Sequence, residues 1–439
     1  MFEINFDGLI GPTHNYSGLS EGNIASKKNF SSPSNPKEAA IQGIEKAEIL
    51  IRSGLKQGFF LPHERPYISG LKGLGFTGTD EQILSSAFKF SPVLLSNFSS
   101  ASSMWAANAA TFSPSFDTQD EKIHITPANL KSMFHRSLEA EFTYKQCKLI
   151  FSSDCFRVHK PALSISGVGD EGAANHLRIS KSHQSKGFEI FVYGSSGFTK
   201  DASLVKRQAL EVSKSIAHNH KLSEENTFFL QQNSEAIREG SFHNDIVSLS
   251  NENIFIAHEK AFENNANFLK ILDILESKID NFQYVEITNS EIPLKDIIDS
   301  YLLNSQLITN GDDEMQLILP SEVRNYENCM SWLDKLKQIS DVKLFDFVDI
   351  RQSMMNGGGP ACLRLKMILN DEELESLNQN FLMNNDRLDS IKLLIEREYR
   401  EVLYPDDLKD PNLLDESRRV LDELTQIFGT GSIYEFQKL

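Results

Sequence analysis

The sequence predicts a mixed α/β protein whose units repeat around a common centre. Amphipathic helical stretches alternate along the chain with short apolar runs of strand character. A polar loop rich in small residues enters or leaves a strand again and again, around residues 8–20, 99–113, 167–176, 240–245, 310–314 and 356–362. Several intervals between these loops are about 70 residues, the spacing expected of ββαβ units set about one axis. Loops that converge on an axis would gather their polar residues in one central site.

The elements follow in order. Residues 36–53 read as a helix, with Ala40, Ile44, Ala47 and Ile51 on one face and Gly54 as the stop. Residues 202–217 read as another, with Val205, Ala209, Val212 and Ile216 aligned. Further helices are expected at 261–279, 371–381, 386–403 and 413–428. Val323, Tyr326, Met330 and Leu333 mark a helical stripe with Cys329 beside it. Strands are expected at 188–193, 246–249, 254–257, 315–319, 342–348 and 363–369, and Leu149-Ile150-Phe151 is a further strand-like run between Cys147 and Cys155. No low-complexity linker divides the chain, so residues 1–439 are expected to form a single domain.

Composition narrows the function. Hydrophobic content of 40% with 24% charged residues is that of an ordinary globular protein. A net charge of −17 argues against nucleic acid or an anionic membrane as partner and leaves a cationic small molecule open. No stretch approaches the roughly 20 apolar residues that span a bilayer. The start, Met1-Phe2-Glu3-Ile4-Asn5-Phe6-Asp7, has neither the basic nor the apolar region of a signal peptide. Cys147, Cys155, Cys329 and Cys362 lack metal-type spacing, so reduced thiols in the cytoplasm, without metal or cofactor, are expected.

The most telling run is Asn356-Gly357-Gly358-Gly359-Pro360-Ala361-Cys362, leading into Leu363-Arg364-Leu365-Lys366. Three glycines in a row need a turn with positive φ or a close backbone approach. Cys362 then stands either as a displayed nucleophile or as a small buried residue after a turn; of the four cysteines it alone follows a glycine-rich loop. A catalytic thiol needs a base, and the base an orienting carboxylate. His243, in Phe242-His243-Asn244-Asp245, ends a loop expected to enter a strand, the setting that mirrors Cys362. Glu171 lies among glycine and alanine. Asp245, two residues past His243, would share its face in an extended segment, as a strand-start acceptor or as a ligand for a cation. His135 and Arg136 form a candidate anion-binding pair. His183, His218 and His220 read as solvated, and Arg207 as surface charge.

Six segments carry a resemblance: residues 6–20, Leu61-Pro62-His63-Glu64-Arg65-Pro66, residues 103–111, residues 169–176, residues 242–245 and residues 356–365. In collinear order they resemble the N-succinylarginine dihydrolase family of the guanidine-modifying pentein superfamily. The resemblance implies a five-bladed pseudo-symmetric α/β propeller. It implies hydrolysis of N2-succinyl-L-arginine with two waters to N2-succinyl-L-ornithine, two ammonia and carbon dioxide, in a cytoplasmic homodimer. It also implies Cys362 as nucleophile, His243 as general acid/base and Glu171 as its partner. Substrate contacts would fall on Ser17, Gly18, Leu19, Ser20, Glu21, Gly22, Asn23, Ile24, Ala25 and Ser26, and on Asn108, His135, Arg136, Arg207, Asp245 and Asn356. Met355 and Lys366 stand where the family is expected to carry arginine, and Glu21 where it is expected to be apolar. The same scaffold also hosts arginine deiminases, amidinotransferases and a non-catalytic ribosome-binding factor.

Overall fold

The computed structural model describes residues 1–164, 167–197, 204–263 and 266–438. Its fifteen named strands fall into five three-stranded sheets of one pattern. In each sheet, or blade, the inner strand pairs antiparallel with the middle strand, and the middle strand pairs parallel with the outer one. In four sheets a connection without a crossover makes the first pairing, whereas the second needs a crossover, which a helix supplies each time.

Blade 1 joins the chain ends. Phe2–Gly8 lies between Arg364–Leu369, which runs from Phe2↔Leu369 to Asp7↔Arg364, and Lys56–Phe60. The late strand thus closes the ring. Blade 2 is Ala110–Ser113, Ile123–Pro127 and Phe156–Val158; blade 3 is His176–Ile179, Phe188–Tyr193 and Thr227–Gln231. Blade 4 is Ser248–Asn251, Ile254–His258 and Gln283–Ile287; blade 5 is Gln306–Thr309, Met315–Pro320 and Val342–Val348. The five crossover helices are Pro36–Arg52, Ala140–Ile150, Leu210–Asn219, Ala266–Lys278 and Glu327–Ile339. This is the five-bladed propeller that the resemblance implied.

Middle strands such as Ile254–His258 and Met315–Pro320 are buried along their whole length, which is why they read as continuous apolar runs. Apolar seams hold the blades side by side. Ile190 and Phe255 share the seam between blades 3 and 4, Ile256 and Leu317 that between blades 4 and 5, and Phe6, Ile125 and Ile318 one seam across blades 1, 2 and 5.

The structure revises several sequence-based boundaries. Leu149 and Ile150 end the helix Ala140–Ile150 rather than forming a strand; an apolar run this short has no period of its own. The expected strand at 246–249 starts with a 3₁₀ turn, Asn244–Ile246, and the strand is Ser248–Asn251. The helix expected at 202–217 is Leu210–Asn219, with residues 202 and 203 outside those described. That at 261–279 is Ala266–Lys278, with 264 and 265 likewise outside. The helix at 371–381 shortens to Asp371–Glu375, capped by Asn370, and a separate 3₁₀ turn, Gln379–Phe381. The one at 386–403 ends with Glu398.

The three glycines have the two causes expected of them. Gly357 adopts φ 102° just past the helix Arg351–Asn356, and a Cβ there would lie 1.8 Å from Asn23 Nδ2. A Cβ on Gly358 would lie 2.3 Å from the Trp105 indole nitrogen, and one on Gly359 2.5 Å from Asn304 Oδ1. The close neighbours are the protein's own side chains, so the glycines wedge the loop into place instead of opening a path. Cys362 is accordingly buried, at 3% exposure. Gly358→Ala, at unexceptional φ, is expected to destabilise by about 1–3 kcal/mol through overpacking. Gly73→Ala, on a helix end with nothing within 4 Å, is expected to stabilise by about 0.4–1 kcal/mol. Urea unfolding of the two variants checks the opposite signs.

Candidate active site

Each inner strand is preceded by a tight loop, and the five loops meet at one end of the propeller axis. Hydrogen bonds tie each loop to the next. The Ala107 amide donates to the Cys362 carbonyl at 3.1 Å. Asn108 Nδ2 donates to the Glu171 carbonyl at 2.6 Å, and the Asn244 amide to Asn175 Oδ1 at 2.9 Å. Asn304 Nδ2 donates to the Asp245 carbonyl at 3.1 Å, and the Ala361 amide to the Asn304 carbonyl at 2.9 Å. The circuit runs through all five blades and returns to the cysteine loop.

The side chains held by this ring include Cys362, Asp245, His243 and Glu171. Cys362 Sγ lies 3.5 Å from Asp245 Oδ2. His243 Nε2 lies 2.9 Å from Glu171 Oε2, which also accepts from Arg136 Nη1 at 3.3 Å. Arg207 stacks its guanidinium 4.4 Å from the centre of the Phe242 ring and donates Nη2 to the Glu21 carbonyl at 2.7 Å. Arg136 sits 5.7 Å from the Trp105 ring centre. His243 and Glu171 are at most 1% exposed.

Burial sets the protonation states. It would push the Glu171 carboxyl up, but the His243 hydrogen bond and the charges of Arg136 and Arg207 outweigh it and hold the group at about 2. Glu171 is therefore an anion, and it accepts the Nε2 proton of His243. Burial lowers His243 to about 4, against the pull of Glu171, so the ring is neutral at pH 7 with its Nδ1 lone pair free. Burial raises the Cys362 thiol well above its ordinary range, and the adjacent Asp245 raises it further. Burial likewise lifts Asp245 to about 7, with hydrogen bonds from Cys362 and Asn304 opposing it. The resting site therefore holds a thiol beside a carboxyl that is ready to ionise.

Several polar atoms here have no hydrogen-bond partner among the described residues. They include the acceptors Asp245 Oδ1, Glu171 Oε1 and Asn304 Oδ1 and the donors Arg136 Nη2 and Arg207 Nε. Such groups cost free energy unless a ligand satisfies them. A molecule with a donor-rich cationic end and carboxylates elsewhere meets both kinds at once. No group of His, Cys, Asp and Glu suited to hold a metal occurs among the described residues.

The structure distributes the remaining sequence candidates unevenly. His135, buried and driven well below its ordinary range by burial and by Arg136, lines a small pocket with Ser17, Gly18, Leu19, Ser20, Ser26 and Asn356. Residues 17–26 run from irregular chain into the helix Ile24–Lys28, with Gly18 and Gly22 at positive φ. Asn23 caps that helix by accepting from the Ser26 amide and donates to the Gly357 carbonyl. Ile24 is 51% exposed and Ala25 half-buried. Glu21 turns an exposed side chain to solvent and contributes its carbonyl to Arg207. Asn356 Nδ2 donates to the Asn15 carbonyl, and Asn108 is spent on positioning Glu171.

Three expectations fail outright. Arg207 is no surface charge, being 3% exposed and outside any helix. His220 is buried between Ser113 and Thr126, and His183 is buried as well, whereas His218 is exposed as expected. Polar neighbours in sequence do not report burial when another blade supplies the partners. His243 and Asp245 do not share an extended face, because the 3₁₀ turn intervenes. Sequence reading also missed Asn304, Trp105 and Phe242. Asn304 carried a signal: like Cys362, it stands two residues before an inner strand.

A family profile described as succinylarginine dihydrolase matches residues 1–437. The N-succinylarginine dihydrolase of Marinobacter nauticus is 46% identical, covering 99% of this chain and 98% of its own length. Those of Idiomarina loihiensis and Aeromonas hydrophila are 44% and 45% identical, each covering 100% of this chain and 99% of their own. Among solved structures, the product-bound N-terminal domain of ArgZ, an arginine dihydrolase from the ornithine-ammonia cycle in cyanobacteria, has a TM-score of 0.52. It is 13% identical and covers 83% of this chain and 97% of that one. AgrE in complex with ornithine and NAD+ gives 0.51 at 12% identity, over 84% of this chain and 40% of that one. At such identities the likeness concerns the fold.

The raised carboxyl of Asp245 makes a signed expectation. Its value of about 7 lies above its ordinary 3.8, so between those values the folded state holds more protons than the unfolded one. Its contribution is fully present below about pH 4 and lost as pH rises through about 7. Asp245→Asn is therefore expected to gain stability relative to wild type between pH 5 and 7.5. Urea titrations of both proteins at the two pH values measure the difference, from which the unaltered Glu171 and His243 cancel.

Proposed function

The chain belongs to the succinylarginine dihydrolase family, and from that premise we propose that Cys362 is its nucleophile, His243 its general acid/base and Glu171 the carboxylate that orients the histidine. It is a hydrolase of succinylarginine in arginine catabolism. The observation that carries the residue assignment is the thiol of Cys362 against Asp245 Oδ2, in one ring of loops with the His243–Glu171 pair.

A guanidinium is planar, cationic and rich in N–H donors, so the Asp245 carboxylate can hold it through two charge-assisted bonds. Its arrival reverses the resting electrostatics: a cation beside Asp245 and Cys362 favours the charged form of both. The thiolate forms a bond to the guanidinium carbon. His243 Nδ1 takes up the proton that the thiol gives off and passes it to the departing nitrogen as the C–N bond breaks, and the first ammonia leaves. Water attacks the covalent intermediate and gives a proton to His243, and the C–S bond breaks to leave a ureido group. A second attack by Cys362 expels the second ammonia. A second water then releases a carbamate that loses carbon dioxide, leaving N2-succinyl-L-ornithine. Throughout, the ionised Glu171 keeps the His243 Nε2 proton in place, so that Nδ1 does the transfer.

The carboxylates at the other end of the substrate would meet Arg207, Arg136 and the chain around 17–26. Arg207 is charged, although burial lowers it to about 10, and its bond to the Glu21 carbonyl joins it to that segment. A homodimer in the cytoplasm completes the reading, supported by family membership and by four free cysteines.

Cys362→Ser is expected to cut ammonia release by on the order of 10³-fold or more while succinylarginine still binds; near-normal release removes the nucleophile assignment. Glu171→Gln should lower kcat by about 10²–10⁴-fold through the wrong imidazole tautomer, with little change in KM. Arg207→Ala should raise KM by about tenfold or more with a smaller change in kcat. Wild type given succinylarginine, arginine and citrulline in parallel is expected to release two ammonia per succinylornithine and to leave the other two compounds largely untouched.

A further inference from the structure

A cavity of about 130 Å³ runs along the propeller axis beneath the candidate site, enough for several molecules the size of water. Each of the five inner strands gives it one apolar wall residue: Phe112, Leu177, Leu249, Leu307 and Ile368. At one end it is lined by Ala107, Ala173, Ala361 and Asp245, from the loops that carry the candidate site. Arg178, Arg364 and Lys366 also line it. Asp117 fixes Arg178, and Glu3 fixes Arg364 at 2.6 Å and lies 3.5 Å from Lys366. The side chains of Arg178 and Lys366 are 12% and 23% exposed, so solvent reaches their end.

The reaction makes a demand that this passage answers. Two waters must arrive and two ammonia must leave within one turnover, at groups that are at most 3% exposed for Cys362, His243 and Glu171. On the opposite side stands the buried segment of Ser20, Asn23 and Ser26. We infer that the axial passage admits water to the thiol and drains neutral ammonia from it while the organic substrate stays bound through both rounds. This rests on the two-round hydrolysis proposed above.

Ser250 lines the passage and is half-buried, so Ser250→Phe should plug it. With melting temperature unchanged, this variant is expected to lose about tenfold in kcat with KM held within about twofold. It is also expected to release N2-succinylcitrulline, so that ammonia exceeds two per succinylornithine; a folded variant with wild-type kcat and a ratio of two overturns the inference. The parent reading fails separately, if wild type itself does not give two ammonia from succinylarginine.

Discussion

Five hydrogen bonds that cross from one blade to the next close a ring through Cys362, Asn108, Glu171, Asn175, Asn244, Asp245 and Asn304. No side chain of the ring is placed by its own strand alone. Each loop before an inner strand is held by its neighbour, and the last returns to the first. A change at any one station therefore moves groups contributed by other blades. The blade seams set the spacing of the stations, and the pairing of Phe2–Gly8 with Arg364–Leu369 fixes the closure.

Within the ring, burial and charge work in opposite directions on adjacent groups. Glu171 is held ionised by His243, Arg136 and Arg207 despite burial, whereas Asp245 and Cys362 are driven toward their neutral forms by it. The site is therefore split into a permanently charged half that orients the imidazole and a half that awaits a cation. Preorganised charge of the first kind needs no rearrangement during the reaction. The second kind keeps the Cys362 thiol neutral until a cationic ligand arrives, which limits adventitious thiol chemistry.

Much of the architecture was legible in the chain. Strands 188–193 and 342–348 were expected at the bounds they have, because middle and outer strands carry uninterrupted apolar or alternating runs. The helix Pro36–Arg52 announced itself through its apolar stripe and the Gly54 stop. Inner strands were harder. All but Arg364–Leu369 are four residues long and follow a 3₁₀ turn, so the period that marks a strand has little length in which to appear. Ser248–Asn251 was therefore merged with the turn before it.

For the site, local sequence gave residue type and loop setting: a thiol after three glycines, a histidine before an aspartate, a glutamate among alanines. Those features, with the collinear motifs, pointed to guanidine chemistry on a repeated α/β scaffold. Tertiary structure alone decided that Arg207 is buried on Phe242, that Asn304 joins the ring, that the glycines fit against Trp105 and Asn304, and that Asp245 rather than a histidine touches the thiol. The reason is physical. Residue type and local period are written over a few neighbours in the chain, whereas burial, pairing and the resulting shifts in proton affinity depend on groups brought in from far along it, 35 residues away between Arg136 and Glu171 and 117 between Cys362 and Asp245.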